Sequence, residues 1–346
     1  MREVRFLLVG LGNLGRRFCE ILAAKDPLLR ERYGLQLRLV GAADSRGAAY
    51  APEGLDLMEV VGLKLAGDTV AGYPVAGRED WDAIKLVQEA EAELLLEASP
   101  VNLDAGGEPG LTAIRTALKR GMHVSSPNKG PLVLAYRELH ALAAENGVKL
   151  RFDGTVTGGL PSISIGQREL RGALVERLEA VPNLVTGYVM DLLTEGLSWE
   201  EATERAREEG VLEADAAWDL EGWDAAAKLV ILANAVLDYP ATLDDVTRTG
   251  ITGLEVADLR AARERGYRYR LLAQAERRAD GSYTLSVAPT HLSTDHPLGC
   301  LGRKEMGVVF MTDIYGTITA IIREEEPIPS AATMLRDILD IYSGVN

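Results

Sequence analysis

The sequence is poor in cysteine and histidine, and this narrows the kinds of site that it can form. Only two cysteines, Cys19 and Cys300, and four histidines occur in 346 residues. A disulfide framework and a zinc site built from histidine and cysteine are therefore not expected. We expect the protein to work in a reducing compartment, the cytoplasm.

Positive charge and long apolar runs are also scarce. The chain has 37 Lys and Arg against 52 Asp and Glu, a net charge of −15, which disfavours nucleic acid and anionic membranes as partners. No apolar run is long enough to span a membrane. We expect no signal peptide, because the N-terminal residues have the pattern of a strand. With 47% hydrophobic and 26% charged residues, the composition is that of a globular protein, and the length favours two domains.

The first part of the chain alternates between strand and helix patterns. We predict strands at 4–10, 35–43, 94–98, 123–126 and 149–153, with helices at 16–24, 79–92, 110–120 and 134–147 and a polar, glycine-rich loop after residue 46. Such alternation indicates a doubly wound, mostly parallel sheet with an α/β architecture.

After Gly158-Gly159-Leu160-Pro161 the pattern changes. We predict helices at 199–209 and 223–237, strand pairs at 267–277 with 283–289 and 307–312 with 316–322, and a final helix at 330–342. This is an α+β pattern. We therefore expect a dinucleotide-binding domain at 1–152, completed by the C-terminal helix 327–346, and a substrate-binding domain at 153–326.

A glycine-rich loop follows the first predicted strand and opens a helix. It reads Gly10-Leu-Gly12-Asn13-Leu14-Gly15. The first glycine permits a tight turn, the second lets the backbone approach a pyrophosphate, and the third allows close packing of helix and strand. The N–H groups that open the helix suit phosphate oxygens. The loop predicts that NAD or NADP binds here.

The next strand ends with two conflicting signals for the cofactor. Asp44 stands where an acidic residue binds the ribose 2′-hydroxyl of NAD, whereas Ser45 and Arg46 suit the 2′-phosphate of NADP. The choice between the two cofactors stays open. We assign Ser99 and Asn128, which follow later strands, to the same cofactor site, because ligands bind at the carboxyl edge of such sheets.

An apolar helix carries two charges at its start. Residues 225–237 are apolar on almost every side, as in a buried helix, yet Asp224 and Lys228 are four apart and share one face. With Glu213 and Asp219 they indicate a polar site for a small zwitterion, because buried charges are costly unless paired or functional. A structural ion pair at the helix N-terminus is the alternative.

Two further segments carry candidate residues. Lys129 follows a predicted strand in the run 126–131, where it faces a ligand cleft or is a solvated loop lysine. Gly158 and Gly159 supply flexible backbone between the predicted domains. They offer carbonyls to a monovalent cation or amides to a substrate, or simply form a tight turn.

In this order, these segments resemble the homoserine dehydrogenase family over most of the chain. The resemblance rests on the runs 10–15, 107–111, 127–131, 152–161 and 219–228. The last is the most specific, with the pattern Asp-x-x-Gly-x-Asp-x-x-x-Lys and a glutamate, Glu213, six residues before its first Asp.

The resemblance implies a function and a set of site residues. The reaction is NAD(P)-dependent, reversible hydride transfer between L-aspartate 4-semialdehyde and L-homoserine, in threonine and methionine biosynthesis. By the resemblance, the site comprises catalytic Lys129, Asp224 and Lys228, substrate-binding Glu213, Asp219, Asn183 and Gly159, and a monovalent-cation site on the backbone of Val156 and Gly158. It also implies a homodimer formed through the second domain, in a short form without the regulatory ACT domain.

The residue roles follow from this assignment. Asp219 and Glu213 would hold the substrate ammonium, and Lys228, or water bound to it, would donate a proton to the forming alkoxide. Lys129 would polarise the aldehyde oxygen and Asp224 would orient Lys228.

Three departures from the family pattern bear on the substrate. The run 183–188 keeps Asn183 and Tyr188 but differs between them, Ala216 replaces a proline, and 323–332 replaces a run of small residues. An oxidoreductase for another amino-acid alcohol, aldehyde or amine is therefore the first alternative. A non-catalytic nucleotide sensor is the second.

Overall fold

The computed structural model describes residues 1–212 and 216–343, so Glu213 lies outside the described residues. The chain forms two compact units. The first consists of Met1–Gly159 together with Glu326–Asn346, and the second is Leu160–Glu325.

The first unit is built on a seven-stranded sheet. Its elements along the chain are β1 (Arg2–Val9), α1 (Asn13–Tyr33), β2 (Leu35–Asp44), β3 (Gly47–Tyr50), α2 (Leu57–Leu65), β4 (Gly77–Arg78), α3 (Ala83–Glu89), β5 (Leu94–Glu97), α4 (Gly110–Lys119), β6 (His123–Ser125), α5 (Lys129–Glu145) and β7 (Leu150–Arg151). The strand order is β4-β3-β2-β1-β5-β6-β7. The five neighbouring strands β2, β1, β5, β6 and β7 run parallel to one another. This confirms the predicted doubly wound α/β sheet.

The prediction of a loop after residue 46 is wrong. The segment instead contains β3, α2 and β4, and β3 pairs antiparallel with both β2 and β4 at the sheet edge. These strands are short and rich in alanine and glycine, so they lack the β-branched residues that mark a strand in sequence. Helix α2 is N-capped by Asp56, whose carboxylate accepts hydrogen bonds from the N–H groups of Met58 and Glu59.

The second unit is an α+β fold on a six-stranded sheet. Its elements are α6 (Ser162–Ser164), β8 (Val175–Val181), α7 (Leu184–Glu195), α8 (Trp199–Glu208), α9 (Ala217–Leu220), α10 (Trp223–Val236), β9 (Val246–Arg248), α11 (Val256–Glu264), β10 (Tyr267–Arg277), β11 (Tyr283–Ser293), β12 (Glu305–Thr312) and β13 (Gly316–Arg323). The strand order is β13-β12-β8-β10-β11-β9. All neighbours pair antiparallel except β9 and β11.

The last helix, α12 (Ile328–Tyr342), returns to the first unit. Its apolar side chains Met334, Ile338 and Ile341 are buried in the same core as residues of β1, α1 and β2. This stripe recurs at the spacing of an amphipathic helix.

Two helices that contain a proline are longer than predicted. Helix α1 continues through Pro27 to Tyr33, beyond the predicted end at residue 24. Helix α5 begins at Lys129, five residues before the prediction, because Pro131 lies in the first turn, where its missing N–H costs no helical hydrogen bond. Among the described residues no helix is long and apolar enough to cross a membrane.

Candidate active site

The glycine loop between β1 and α1 is shaped by close backbone contacts. Gly10 has φ +92, and a Cβ there would lie 2.3 Å from the backbone of Ala98, just past β5. A Cβ on Gly15 would lie 2.1 Å from the carbonyl oxygen of Gly10. A Cβ on Gly12 would meet no atom of the described residues within 4 Å. The backbone at Gly12 therefore faces open space, into which a phosphate fits.

The start of α1 is suited to bind an anion. Its N-cap, Gly12, has no capping side chain, and the first turn contains no acidic residue. The N–H groups of Asn13, Leu14 and Gly15 have no partner within the helix, because the first turn precedes the first carbonyl acceptors. The helix dipole adds partial positive charge at the same place. These residues can hold a pyrophosphate.

The carboxylate of Asp44, at the end of β2, is fully engaged within the protein. Its donors are Lys64 Nζ at 2.6 Å, Thr69 Oγ1 at 2.9 Å, and the N–H groups of Arg46 at 2.8 Å and Val70 at 3.0 Å. Burial raises the pKa of Asp44, but the hydrogen bonds from Lys64 and the other donors outweigh it and leave the pKa lowered. A carboxylate accepts about four hydrogen bonds, so Asp44 has no acceptor left for a ribose hydroxyl.

Buried polar side chains join the ends of β5 and β6. The carboxylate of Glu97 accepts hydrogen bonds from Ser99 through both its N–H and its hydroxyl, and from Ser126 Oγ at 3.0 Å. Asn128 Nδ2 donates to Ser99 Oγ at 3.3 Å. Burial raises the pKa of Glu97, although its hydrogen-bond donors oppose the shift. This network fixes Ser99 and Asn128, two predicted cofactor residues, at one edge of the sheet.

Lys129 is the first residue of a helix, not part of a loop. Asn128 caps this helix, since its Oδ1 accepts from the N–H of Gly130 at 3.0 Å. Lys129 is half-buried. A cation at a helix N-terminus is opposed by the helix dipole, so the dipole does not account for a lysine at this position.

In the second unit, Asn183 links two carboxylates. Its Nδ2 lies 2.6 Å from Asp219 Oδ1 and 2.6 Å from Asp224 Oδ2. Its Oδ1 accepts from the N–H of Thr186 at 3.2 Å, so Asn183 also caps α7. Asn183 is buried. One amide thereby holds both carboxylates at the start of a buried helix.

Lys228 and Asp224 form the ion pair that their spacing predicts. Lys228 Nζ lies 2.8 Å from Asp224 Oδ2 and donates to the carbonyl of Pro182 at 2.7 Å. Both side chains are largely buried, with 15% and 7% exposed. An ammonium has three donors, so these two acceptors, counted among the residues that the structure describes, leave one N–H for a ligand.

The turn before this helix sets the positions of the carboxylates. Gly222, between α9 and α10, has φ +82, a conformation that favours glycine. It separates Asp219 on α9 from Asp224 in the first turn of α10, where the dipole favours an anion. Arg248 packs over the ring of Trp223 at 3.8 Å, next to this turn.

The turn at 153–159 contains the residues predicted to hold a cation. Val156 is buried and Gly158 has φ +55. The carbonyl of Gly159, a predicted substrate residue, accepts a hydrogen bond from Arg336 at 3.0 Å. No group of three or more His, Cys, Asp or Glu residues that would suit a metal ion occurs in the described part of the chain.

Sequence reasoning missed three contributors to these sites. Glu97 lies in an apolar strand, Lys64 on a helix that was not predicted, and Pro182 acts through its carbonyl. Of these, only Glu97 carried a signal, because a single carboxylate in a buried strand needs partners or a function.

Comparison with known proteins identifies the family. A protein-family model described as homoserine dehydrogenase matches residues 161–339. The homoserine dehydrogenase of Methanocaldococcus jannaschii is 34% identical over 98% of both chains. The NAD(+)-dependent homoserine dehydrogenase of Pseudomonas canavaninivorans is 33% identical over 99% of this chain and 97% of its own.

A solved structure agrees over the same length. A mutant hyperthermophilic archaeal homoserine dehydrogenase in complex with NADPH superimposes with a TM-score of 0.85, at 26% identity and covering 98% of each chain. The fold, the glycine loop and the carboxylate–lysine cluster thus occur in a chain that belongs to the homoserine dehydrogenase family of oxidoreductases.

Proposed function

We propose that this chain catalyses the NAD(P)-dependent, reversible conversion of L-aspartate 4-semialdehyde and L-homoserine. In the reducing direction the aldehyde carbon gains a hydride and its oxygen gains a proton; oxidation reverses both. The cofactor supplies or accepts the hydride. The side chains of this protein bind the amino acid, orient it and handle the proton.

The observation that carries this proposal is the environment of Lys228. Its ammonium is fixed by Asp224 and the Pro182 carbonyl, and within the described part of the chain this leaves one N–H that can reach a substrate oxygen or a bridging water. Held in this way, Lys228 is positioned to donate a proton to the forming alkoxide and to withdraw it during oxidation. The paired Asp224 keeps the lysine oriented, as a base-orienting carboxylate does in other enzymes.

The substrate ammonium is assigned to the carboxylates. Asp219 and Asp224 bring two carboxylates to the same amide of Asn183, and carboxylate oxygens attract an ammonium. We assign Asp219 and Glu213 as its binding partners and Asn183, whose amide links Asp219 and Asp224, as a further substrate-binding residue. We propose that Lys129 polarises the aldehyde oxygen and that Gly159 contributes to substrate binding.

The cofactor is assigned to the first unit. We propose that residues 10–15 hold the pyrophosphate and that Ser99 and Asn128 contact the nicotinamide half. Because Asp44 is saturated by its protein donors, the neighbouring Ser45 and Arg46, both exposed, are the better partners for the adenosine ribose. This arrangement favours a 2′-phosphate, so we propose a preference for NADP over NAD.

The test is oxidation of L-homoserine with NAD and with NADP, followed by the absorbance of the reduced cofactor. Lys228→Met should lower kcat by roughly 10² or more, the usual effect of losing an acid–base group, without changing cofactor binding. The matched control, Lys85→Met, removes an exposed lysine paired with Asp80 and should leave kcat unchanged. An unchanged kcat in Lys228→Met would exclude this lysine as the acid. Cofactor binding without turnover of homoserine by the unaltered protein would contradict the substrate assignment.

We further propose a cytoplasmic homodimer formed through the second unit. Strand β13 lies at the sheet edge, and Ile314, Tyr315 and Ile321 in or beside it are exposed. Both cysteines are free thiols, as suits a reducing compartment. The molar mass from light scattering, with Ile321→Lys as a variant that should dissociate the dimer, tests the assembly. A monomeric mass for the unaltered chain would contradict it.

A further inference from the structure

Glu97, at the end of β5, is the centre of the buried hydrogen-bond network in the first unit. Its side chain is fully buried. Its Oε1 accepts from the N–H and the hydroxyl of Ser99, and its Oε2 accepts from the hydroxyl of Ser126 at 3.0 Å. The side-chain amide of Asn128 donates to the same carboxyl group. Each of these partners donates a hydrogen bond to Glu97, which suits a carboxylate, because a carboxylate only accepts.

Burial and hydrogen bonding act in opposite directions on the charge of Glu97. Burial raises its pKa, and the donors around it act to lower the pKa. A Cβ on Gly110, the first residue of α4, would lie 3.0 Å from Oε1, so the carboxyl group lies against the start of a helix, where the dipole favours an anion. A protonated Oε2 would donate to Ser126 Oγ and take away the acceptor of that buried hydroxyl. The hydrogen-bond directions are therefore those of an ionised Glu97.

The network continues from Glu97 to the start of α5. Ser126 Oγ, which donates to Glu97, accepts from the N–H of Asn128 at 3.1 Å. The side-chain nitrogen of Asn128 points into the network, so its Oδ1 faces the N–H of Gly130 and accepts from it at 3.0 Å. Asn128 is thereby held as the N-cap of α5, whose first residue is Lys129. The position of Lys129 thus depends on the orientation that Glu97 gives to Ser126 and Asn128.

The same network reaches the glycine loop through Ser99. A Cβ on Gly10 would lie 2.5 Å from the backbone nitrogen of Ser99, so the two residues are in close contact. Ser99 donates its hydroxyl proton to Glu97 and accepts from Asn128 Nδ2 at 3.3 Å. The carboxylate of Glu97 therefore connects the loop that we assign to the cofactor with the helix that begins at Lys129.

We propose that Glu97 is a positioning residue of the active site, whose carboxylate orients Ser126 and Asn128 so that the cap of α5 holds Lys129 in place. This inference rests on the proposed function, in which Lys129 polarises the aldehyde oxygen. Glu97 acts through its neighbours and takes no part in the chemistry itself. Because charge on that oxygen is greatest in the transition state, a misplaced Lys129 should lower kcat and leave the KM for homoserine almost unchanged.

The experiment compares the unaltered protein with Glu97→Gln, Ser126→Ala and the double variant. The matched control is Ser125→Ala, because Ser125 is also fully buried and its hydroxyl also donates to a buried carboxyl group, that of Asp337 at 2.7 Å. For each protein we measure kcat and KM for L-homoserine, the melting temperature, and deuterium exchange at backbone N–H groups by nuclear magnetic resonance.

The expected results separate a positioning role from a merely structural one. Glu97→Gln and Ser126→Ala should each lower kcat about tenfold, the cost of a slightly misplaced group, with KM changed by less than about twofold. Oε1 must still accept from Ser99, so the new amide nitrogen replaces Oε2, and both variants break the same hydrogen bond. The double variant should therefore lose about tenfold in kcat, and not the roughly hundredfold of independent effects. Exchange at the N–H of Gly130 should be faster in all three, whereas Ser125→Ala should only lower the melting temperature.

Two results would overturn the proposal. One is an unchanged kcat in Glu97→Gln or Ser126→Ala, even with a lower melting temperature, because the network is then a structural contact only. The other is a roughly hundredfold loss in the double variant, because independent effects mean that Glu97 does not act through Ser126. If Glu97→Gln is not recovered folded, Ser126→Ala against Ser125→Ala still decides. If the unaltered protein does not turn over homoserine, the proposed function fails, and unchanged exchange at Gly130 in the variants would separately refute the role given to Glu97.

Discussion

The burial of the Asp337 carboxyl group predicts how the free energy of unfolding changes with pH. Asp337 is 2% exposed, and burial, followed by the negative charge of Asp153, raises its pKa from 3.8 to about 8. Between these two values the folded protein holds a proton that the unfolded chain has lost. Stability at this site is therefore greatest below about pH 4 and falls as the pH rises towards 8.

The magnitude follows from linkage. Each pH unit in this interval costs about 1.4 kcal/mol, so the contribution of Asp337 to the free energy of unfolding falls by about 3 kcal/mol between pH 5 and pH 7. The Ser125 hydroxyl donates a hydrogen bond to Asp337 Oδ2 at 2.7 Å. In Asp337→Asn the side chain is neutral throughout, and its amide oxygen can still accept this hydrogen bond. The variant should therefore gain about 3 kcal/mol relative to the unaltered protein over this range, or roughly 6–12 °C in melting temperature for a unit of this size.

Urea unfolding of both proteins at pH 5, 6 and 7, followed by far-UV circular dichroism, measures this difference. Asp280→Asn is the control. Asp280 lies in an exposed turn, where hydrogen bonds from Ser282 lower its pKa, so it is ionised in both states at these pH values and its loss should not change the pH dependence. Parallel curves for Asp337→Asn and the unaltered protein would show that Asp337 ionises in the folded state and that its burial does not control its charge.

Three further substitutions, at other positions, have effects that we predict from the structure and that simpler measurements can check. Gly12→Ala should leave the melting temperature unchanged, because its Cβ meets open space, but should raise the cofactor Kd at least about tenfold by blocking phosphate; unchanged calorimetric affinity would exclude the loop as the phosphate site. Lys64→Met should shift kcat/KM about tenfold towards NAD, because Asp44 regains an acceptor for the ribose hydroxyl; an unchanged NAD to NADP ratio would contradict the role given to Asp44. Burial lowers the pKa of His140 to about 4, so the unaltered protein loses about 3 kcal/mol at this site as the pH falls from 6.5 to 4, and His140→Phe should remove this loss in urea unfolding; a variant with the same acid dependence would refute it.

The part of the fold that depends on local pattern could be predicted from the sequence. The strand–helix alternation led to the parallel sheet, and the four-residue spacing of Asp224 and Lys228 led to their ion pair. Both are features in which residues close in sequence determine the outcome.

The remaining features depend on contacts between distant residues. The edge strands β3 and β4 form because they pair with β2, not because their alanines and glycines favour a strand. Asn183 joins two carboxylates that lie 36 and 41 positions away along the chain, and Lys64 satisfies Asp44 from a helix that the sequence did not reveal. The residue pattern within a single segment does not indicate such contacts between residues that are far apart in the sequence.

The return of α12 to the first unit has a consequence for biosynthesis. Domains tend to fold in the order in which the ribosome makes them, N-terminal first. Here the core of the first unit includes Met334, Ile338 and Ile341, which are translated after the whole of the second unit. Part of the apolar surface of the N-terminal sheet therefore stays uncovered until α12 has left the ribosome. Synthesis that stalls after residue 325 would leave a chain that chaperones and proteases recognise as unfinished.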